Sequence, residues 1–269
     1  MQIESNNIAY TGLTKKLSKS IYSHTEVMTL VNKNKKSSGI VGHIPNQWVK
    51  EIPFHSRKEK IKEFYDDMGQ FIEYILPFSG DSKISSVILT QIMKKANIIK
   101  NGTNVSLKHV NDGVYAKGYS IAFNNNEPLF FLKSFKGGLC SLLGRKWRHG
   151  IACEANSKIY LKSKLNTKEK SFFSNFYYAD INNGYYIEAF LPETNSIVKN
   201  VSSPYVAETR KRSMCAMTGL GQKFHKILKK YGLYHEDFYP GNYKIYKNDK
   251  GYSLKCFDLG GLDKHNGGL

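Results

Sequence analysis

The stretch "HEDFYPGN", residues 235–242, decides how the rest of this sequence is interpreted. It holds a histidine, two acids, a proline, a glycine and an asparagine within eight positions. A basic amphipathic segment precedes it and a strand-forming segment follows it, which predicts a loop between a helix and a β-hairpin. Asp237 and Asn242 lie on that loop, and Asp258 lies at the end of the hairpin, in "CFDLGG".

Side chains of these types are suited to phosphoryl transfer. Mg²⁺ prefers hard oxygen ligands, which an Asn carbonyl and an Asp carboxylate supply. A separate carboxylate is needed to orient an acceptor hydroxyl and to take its proton. The remaining catalysis is positioning and charge stabilisation. A loop that holds Asp237 and Asn242, with Asp258 brought beside it by a hairpin, meets these needs.

The composition allows a folded, strongly basic protein. Of the 269 residues 41% are hydrophobic, which is enough for a sizeable core, and the formal net charge is +18. Such a surface attracts nucleotides, nucleic acid, acidic proteins or anionic lipid. A lysine-rich solvated face explains the same charge equally well, so charge alone does not choose among these partners.

The cysteines and the hydropathy pattern exclude several classes. The four cysteines form no CxxC pair, so we expect reduced thiols and neither a disulfide framework nor a zinc site. No run of 18 apolar residues occurs, so no transmembrane helix is expected. The polar N-terminus lacks the apolar segment of a secretory signal peptide.

Helical periodicity comes first along the chain. Residues 1–55 show little periodicity and are predicted to be flexible, with short elements at best. Residues 56–75 have apolar side chains at helical spacing, and Ser56 with Glu59 fits a capping box. After a break at "PFSGDS", residues 82–101 predict a second helix that ends at Asn101–Gly102.

The pattern changes to strands after residue 102. Three short β-rich runs joined by "NDG" and "NNNEP" predict a meander over residues 104–135. A basic stretch, a helix from residue 151 and a hairpin at "FFSNFYYADINNGYYIEAFL" follow. Residues 204–231 predict one long helix, and a last hairpin follows the loop at residues 235–242.

These motifs resemble those of the protein-kinase-like superfamily. Its catalytic loop is H-x-D-x-x-x-x-N and its metal-binding turn is D-F-G, here "DLG" from Asp258. The resemblance implies an α+β, two-lobed kinase-like fold with a reduced C-lobe and an N-terminal helical extension. It implies ATP and Mg²⁺ as cofactors, with Asp237 as catalytic base and Asn242 and Asp258 as metal ligands. His235 would hold the loop against the DLG turn.

The resemblance also assigns roles upstream. Lys133 in "FFLKSF" falls on the strand where the superfamily places the lysine that contacts the α- and β-phosphates. Glu154 is the only acid between Lys133 and Glu169, so it would be the ion-pair partner of Lys133. Either residue alone would be interpreted as a surface residue, but both occur in the required order upstream of the loop.

The other nucleotide contacts match less closely. Gly113 and Gly118 are the only glycines in "VNDGVYAKGYSIAF", which lacks a G-x-G-x-x-G loop and also fits an ordinary hairpin turn. The segment "YIEAFLPET" would be the hinge between lobes. Backbone groups from Ala189 to Leu191 would then hydrogen-bond adenine.

The resemblance divides the chain into a flexible segment 1–55, a helical extension 56–102 and a minimal kinase-like domain 103–269. The domain would comprise an N-lobe 103–191 and a reduced C-lobe 192–269. Only eleven residues follow Asp258 and they contain no A-P-E motif, so an activation segment that docks a peptide is not expected. This resembles the minimal kinases that some pathogenic bacteria inject into host cells.

The loop leaves the acceptor open. Glu236 stands where regulated protein kinases have an Arg that pairs with an activation-loop phosphate, and two anions would repel.

We favour a kinase for protein Ser or Thr, cytoplasmic or delivered into a host cytoplasm. "DFYPGN" also resembles the loops of aminoglycoside phosphotransferases, and "FLK" with its basic insertion resembles lipopolysaccharide-core sugar kinases. A pseudokinase that binds a partner is a further alternative, and nucleic-acid binding rests on charge alone.

Overall fold

The structure is a computed structural model that describes residues 39–113, 116–135, 147–192, 219–235, 238, 241–249, 251–259 and 262–264. The described residues fall into two compact units. The sheet unit contains those within 39–155 and 175–190, and the hairpin unit contains those within 156–174 and 191–264. The α+β class expected from the sequence is confirmed.

The sheet unit is built on six antiparallel strands in the order β1-β5-β6-β4-β3-β2. The strands are β1 Ile40–Gly42, β2 Val105–Asp112, β3 Lys117–Phe123, β4 Phe130–Ser134, β5 Phe176–Asp180 and β6 Tyr185–Ala189. The predicted meander is β2-β3-β4 and the predicted hairpin is β5-β6, so both are confirmed. The first strand extends the sheet beyond them at the edge of β5.

Four helices of the sheet unit precede the meander. They are α1 Asn46–Glu51, α2 Arg57–Gln70, α3 Leu76–Ser79 and α4 Lys83–Lys95. A π-helical turn, Phe71–Ile75, joins α2 to α3 without a break. The chain turns only at Gly80, whose φ of 55° is in the left-handed region. The two predicted helices are therefore confirmed, with the first extended past Pro77.

Two predicted helix signals are wrong. Ser56 makes no side-chain cap to α2, because it lies in a 3₁₀ turn, Phe54–Ser56, and its Oγ donates to the Pro53 carbonyl instead. The second helix ends before Asn101. Asn97, just after α4, adopts a left-handed φ of 57°, which asparagine tolerates and which stops the helix there.

Burial alternates along β4, and β6 pairs with it in register, so the sheet has two different faces. Phe130 and Leu132 on β4, with Tyr185 and Ile187 on β6, point into one apolar core. The helices α1, α2 and α4 contribute to the same core with Trp48, Phe64, Met68, Leu89, Ile92 and Met93. Since successive side chains of a strand point to opposite faces, Lys133 and Tyr186 lie on the other face.

The hairpin unit contains the C-terminal half of α5, which as a whole spans Trp147–Lys164, followed by α6 Thr167–Lys170. Residues 219–230 form α7, and the part of the predicted long helix before residue 219 lies outside the described residues. The strands are β7 Leu233–His235 paired with β10 Leu262–Lys264, and β8 Tyr243–Asn248 paired with β9 Gly251–Cys256. The predicted last hairpin is confirmed as β8-β9.

One charged contact joins α6 to α7. Glu169 forms a capping box with Asn166, and it accepts hydrogen bonds from Lys230 and from the Tyr231 hydroxyl. The contact with Lys230, helped by the Asn166 amide and Tyr231, lowers the pKa of Glu169 to about 2. Glu169 therefore stays ionised at neutral pH. Among the described helices, none has the length and apolar character needed to cross a bilayer.

We expect Phe64→Ala to lower the free energy of unfolding by about 3–5 kcal/mol, because the ring is 1% exposed and packs against Trp48 and Tyr178. Phe78→Ala is the matched control, since that ring is 86% exposed and its loss should change the free energy by less than about 0.5 kcal/mol. Urea unfolding measures both. Equal effects would contradict the packing of α2 on the sheet.

Candidate active site

The sheet unit brings Lys133 and Glu154 together. Lys133 lies on β4 and its Nζ donates to Glu154 Oε2 at 2.8 Å. Glu154 lies on α5, and its side chain is 2% exposed, against 17% for Lys133. The ion pair that the sequence predicts is thus present. Its role towards a nucleotide stays a prediction.

Tyr186 is the second donor to Glu154. Its hydroxyl donates to Glu154 Oε1 at 2.6 Å, so each carboxylate oxygen has its own donor. Register places Tyr186 directly opposite Lys133 on the neighbouring strand β6. The Lys133 ammonium also lies 5.4 Å from the Phe135 ring centroid and 5.7 Å from that of Tyr186. Aromatic faces at this distance attract a cation and fix its position.

A largely buried ion pair of this kind contributes little to stability by itself. Moving both charges out of water offsets most of their attraction, and apolar residues of similar volume are often as stable or more stable. Removing one partner is different, because it leaves an uncompensated charge inside the protein. The pair therefore constrains where the Lys133 ammonium sits more than it stabilises the fold.

The hairpin unit brings Asn242 next to Asp258. Tyr243 opposite Cys256 is the outermost pair at the open end of the β8-β9 hairpin. Beyond that pair, the Phe257 N–H donates to the Asn242 carbonyl at 3.1 Å. The Asn242 side chain is buried, with 4% of the residue exposed, and Asp258 is half-buried. The two residues proposed as metal ligands are therefore held at one end of one hairpin by its own register.

His235 holds the same turn from β7. Its Nε2 lies 2.7 Å from the Asp258 carbonyl oxygen. A carbonyl only accepts, so Nε2 carries the proton and donates. The ring is buried, with 4% of the residue exposed, and it packs beside Phe224 and Phe238. The predicted contact between His235 and the DLG turn is confirmed.

The structure does not bear on the proposed base. Asp237 and the neighbouring Glu236 lie outside the described residues. Within the described part of the chain, no three His, Cys, Asp or Glu side chains lie close enough together to hold a metal ion. Asn242 and Asp258 fit Mg²⁺ by the chemistry of their donors, since an amide carbonyl and a carboxylate are both hard oxygen ligands.

Packing explains one of the two glycines that the sequence marks for phosphate binding. Gly118 lies on β3 opposite Lys133, and a Cβ there would overlap Asn111 and the ring of Phe131. The Gly113 N–H donates to the Ala116 carbonyl at 2.7 Å within the hairpin turn. That amide is therefore engaged, and the role of both glycines towards phosphate stays a prediction.

The two hinge residues differ in their surroundings. The Ala189 N–H donates to the Asn175 carbonyl at 2.9 Å, so the sheet already uses this amide. The Phe190 N–H likewise donates to Leu129. The sheet unit ends at Phe190, and Leu191 is the first residue past it. The Ala189 amide is thus engaged within the sheet unit, and both adenine contacts stay predictions.

Sequence reasoning missed Tyr186, because its role depends on pairing between β4 and β6. Among the described residues, two helices and a strand separate these strands in the sequence, and no local signal reveals that they are neighbours. The alternation of "YYIEA" would have shown that Tyr186 shares a face with Glu188, but not that Lys133 lies opposite.

Comparison with solved structures shows a structural likeness to a kinase domain, whereas the sequence comparisons found no match. No protein-family model and no curated protein matches the sequence. Among solved structures, the chain is similar to the kinase domain of Mycobacterium tuberculosis PknI, crystallised as a double mutant, at 14% identity and a TM-score of 0.31. The match covers 61% of this chain and 62% of that domain, less than two thirds of its length. A likeness at this level leaves residue roles open, and these rest on the contacts above.

We expect Lys133→Met to lower the free energy of unfolding by about 3–5 kcal/mol, because it leaves the Glu154 carboxylate without its cation. Adding Glu154→Gln removes that charge and keeps an acceptor for Tyr186. The double variant should therefore be more stable than Lys133→Met alone by about 1 kcal/mol or more. Denaturant unfolding of the four chains of the cycle measures this coupling. Purely additive effects would mean that the two charges are not coupled.

Proposed function

We propose that this chain is a kinase that transfers the γ-phosphate of Mg²⁺-ATP to a hydroxyl group. The observation that carries the proposal is the ion pair of Lys133 and Glu154, largely buried on one face of the sheet. Such a pair contributes little to stability, but it fixes the position of an ammonium group to which an anion can bind. The Lys133 ammonium would bind phosphate oxygens of the nucleotide.

The hairpin unit supplies the other groups. Asn242 and Asp258 would hold Mg²⁺, which neutralises charge on the phosphates when it is bound. Asp237 would accept the proton of the acceptor hydroxyl as its oxygen bonds to the γ-phosphorus and ADP leaves. The contacts that hold Asn242 beside Phe257, and His235 beside Asp258, support these assignments by fixing the backbone around both ligands.

The acceptor we favour is Ser or Thr of a protein, in the manner of the minimal effector kinases that the sequence resembles. Glu236 excludes the usual Arg-to-phosphate switch, so the kinase would be active without phosphorylation of its own chain. Adenine would be bound by the backbone at Leu191 rather than by the Ala189 amide, which Asn175 already engages.

The second candidate is a kinase for a sugar or another small molecule, and the loop "DFYPGN" favours it. Incubation of the chain with γ-labelled ATP, Mg²⁺ and either protein extract or purified sugars separates the two. Label on protein Ser or Thr supports the first proposal. Label confined to sugars contradicts it and supports the second.

We expect Asp237→Asn, Asp258→Asn and Lys133→Met each to lower the transfer rate about 100-fold or more, because each removes a charge that the transfer needs. Lys108→Met is the control, since this exposed lysine of β2 lies outside the proposed machinery. Transfer of the label measures the rate, and circular dichroism verifies folding. Wild-type rates in any of the three would overturn that residue's assignment.

A pseudokinase would behave differently in a simpler measurement. Binding of Mg²⁺-ATP to the folded chain should raise its melting temperature, because the ligand stabilises the state that binds it. If Mg²⁺-ATP produces no shift and no label is transferred, the chain is a binding module and the proposal fails.

A further inference from the structure

Lys158 is a buried lysine whose amine points at the metal-binding turn. It lies on α5, one turn after Glu154, and only 4% of the residue is exposed. Its Nζ donates a hydrogen bond to the carbonyl of Phe257, the residue immediately before Asp258. Lys158 and Phe257 both belong to the hairpin unit. The roles proposed above for Lys133, Asn242 and Asp258 leave this contact unused.

The backbone on both sides of Asp258 is held by side chains. Lys158 binds the carbonyl that precedes Asp258, and His235 binds the carbonyl of Asp258 itself. The Phe257 N–H is held in turn by the Asn242 carbonyl. Each peptide is planar, so a residue has only two soft backbone dihedrals, and fixing the peptides on either side fixes both. The direction in which the Asp258 side chain leaves the backbone is therefore set from outside the turn.

A lysine at a buried position of a helix needs a reason. Burial disfavours its charge, and an apolar side chain such as Met would fill the same volume at less cost. A hydrogen bond from a charged donor to a carbonyl is stronger and more directional than one between neutral groups. Unlike an apolar residue, Lys158 can donate a hydrogen bond that fixes a carbonyl group. The carbonyl that it fixes is that of Phe257, immediately before Asp258.

We propose that Lys158 is a positioning residue, which holds the Phe257–Asp258 peptide so that the Asp258 carboxylate is oriented to bind Mg²⁺. The inference rests on the proposed function, because it assumes that Asp258 is a metal ligand. Lys158 itself would contact neither the metal nor the nucleotide. The loss of a group that orients a metal ligand in this way commonly lowers metal affinity about 10- to 100-fold.

The test separates metal binding from folding and from nucleotide binding. Lys158→Met keeps the length of the side chain and removes the donor. We expect the Mg²⁺ concentration that half-saturates the ADP-bound protein, followed by thermal shift or calorimetry, to rise about 10-fold or more. ADP binding in the presence of EDTA should stay within about 2-fold of wild type, because no metal ligand takes part in it.

Two further variants serve as controls. Lys158→Arg keeps a charged donor and should restore most of the Mg²⁺ affinity lost in Lys158→Met. Lys164→Met removes an exposed lysine from the last turn of the same helix and should leave the Mg²⁺ midpoint unchanged. If Lys158→Met does not fold, the Mg²⁺ midpoint is measured on Lys158→Gln instead, which keeps a polar end without the charge. The same criterion then applies to that midpoint.

The outcomes distinguish the inference from the proposed function. If wild type binds ADP with Mg²⁺ and Lys158→Met has the same midpoint, Lys158 is a structural residue and the inference is overturned, while the proposed function stands. The inference is also overturned if Lys158→Met is less stable but its folded fraction has the same Mg²⁺ midpoint as wild type. If wild type responds to neither ADP nor Mg²⁺, the proposed function fails and the inference falls with it.

Discussion

The salt bridge between Lys133 and Glu154 is the interaction on which this account depends. It is made on a sheet whose other face is closed by an apolar core, so the strand must direct a lysine one way and leucine and phenylalanine the other. The alternation of β4 achieves this, and Tyr186 from β6 holds the second carboxylate oxygen. Such a pair adds little to stability, so we propose that it positions the Lys133 ammonium for an anionic ligand.

In the hairpin unit, hydrogen bonds to backbone groups fix the position of a side chain, as the salt bridge does in the sheet unit. The register of β8 and β9 sets Asn242 beside Phe257, and a histidine and a lysine then fix the carbonyls on either side of Asp258. Chains that must hold a metal gain from this arrangement, because a ligand that is already oriented loses little entropy on binding.

Local signals gave most of the elements and the polar pair. The meander, both hairpins and the first two long helices were predictable because turn residues and periodicity act within a few positions. The pair of Lys133 and Glu154 was predictable through the resemblance to kinases, which gives the order of the two residues a meaning. Tyr186 and Lys158 were not, since one depends on strand pairing across a long separation and the other looks like any surface lysine in a basic sequence. The cap at Ser56 failed because a 3₁₀ turn competed for its hydroxyl.

Labelling with an ATP analogue that carries a lysine-reactive acyl group on its γ-phosphate tests the central claim most directly. If the Lys133 ammonium binds the phosphates, mass spectrometry should find the acyl group on Lys133, and excess Mg²⁺-ATP should suppress that modification. Exposed lysines such as Lys108 should react weakly and without competition. Modification spread over surface lysines, with Lys133 unlabelled or its labelling unaffected by ATP, would contradict the account.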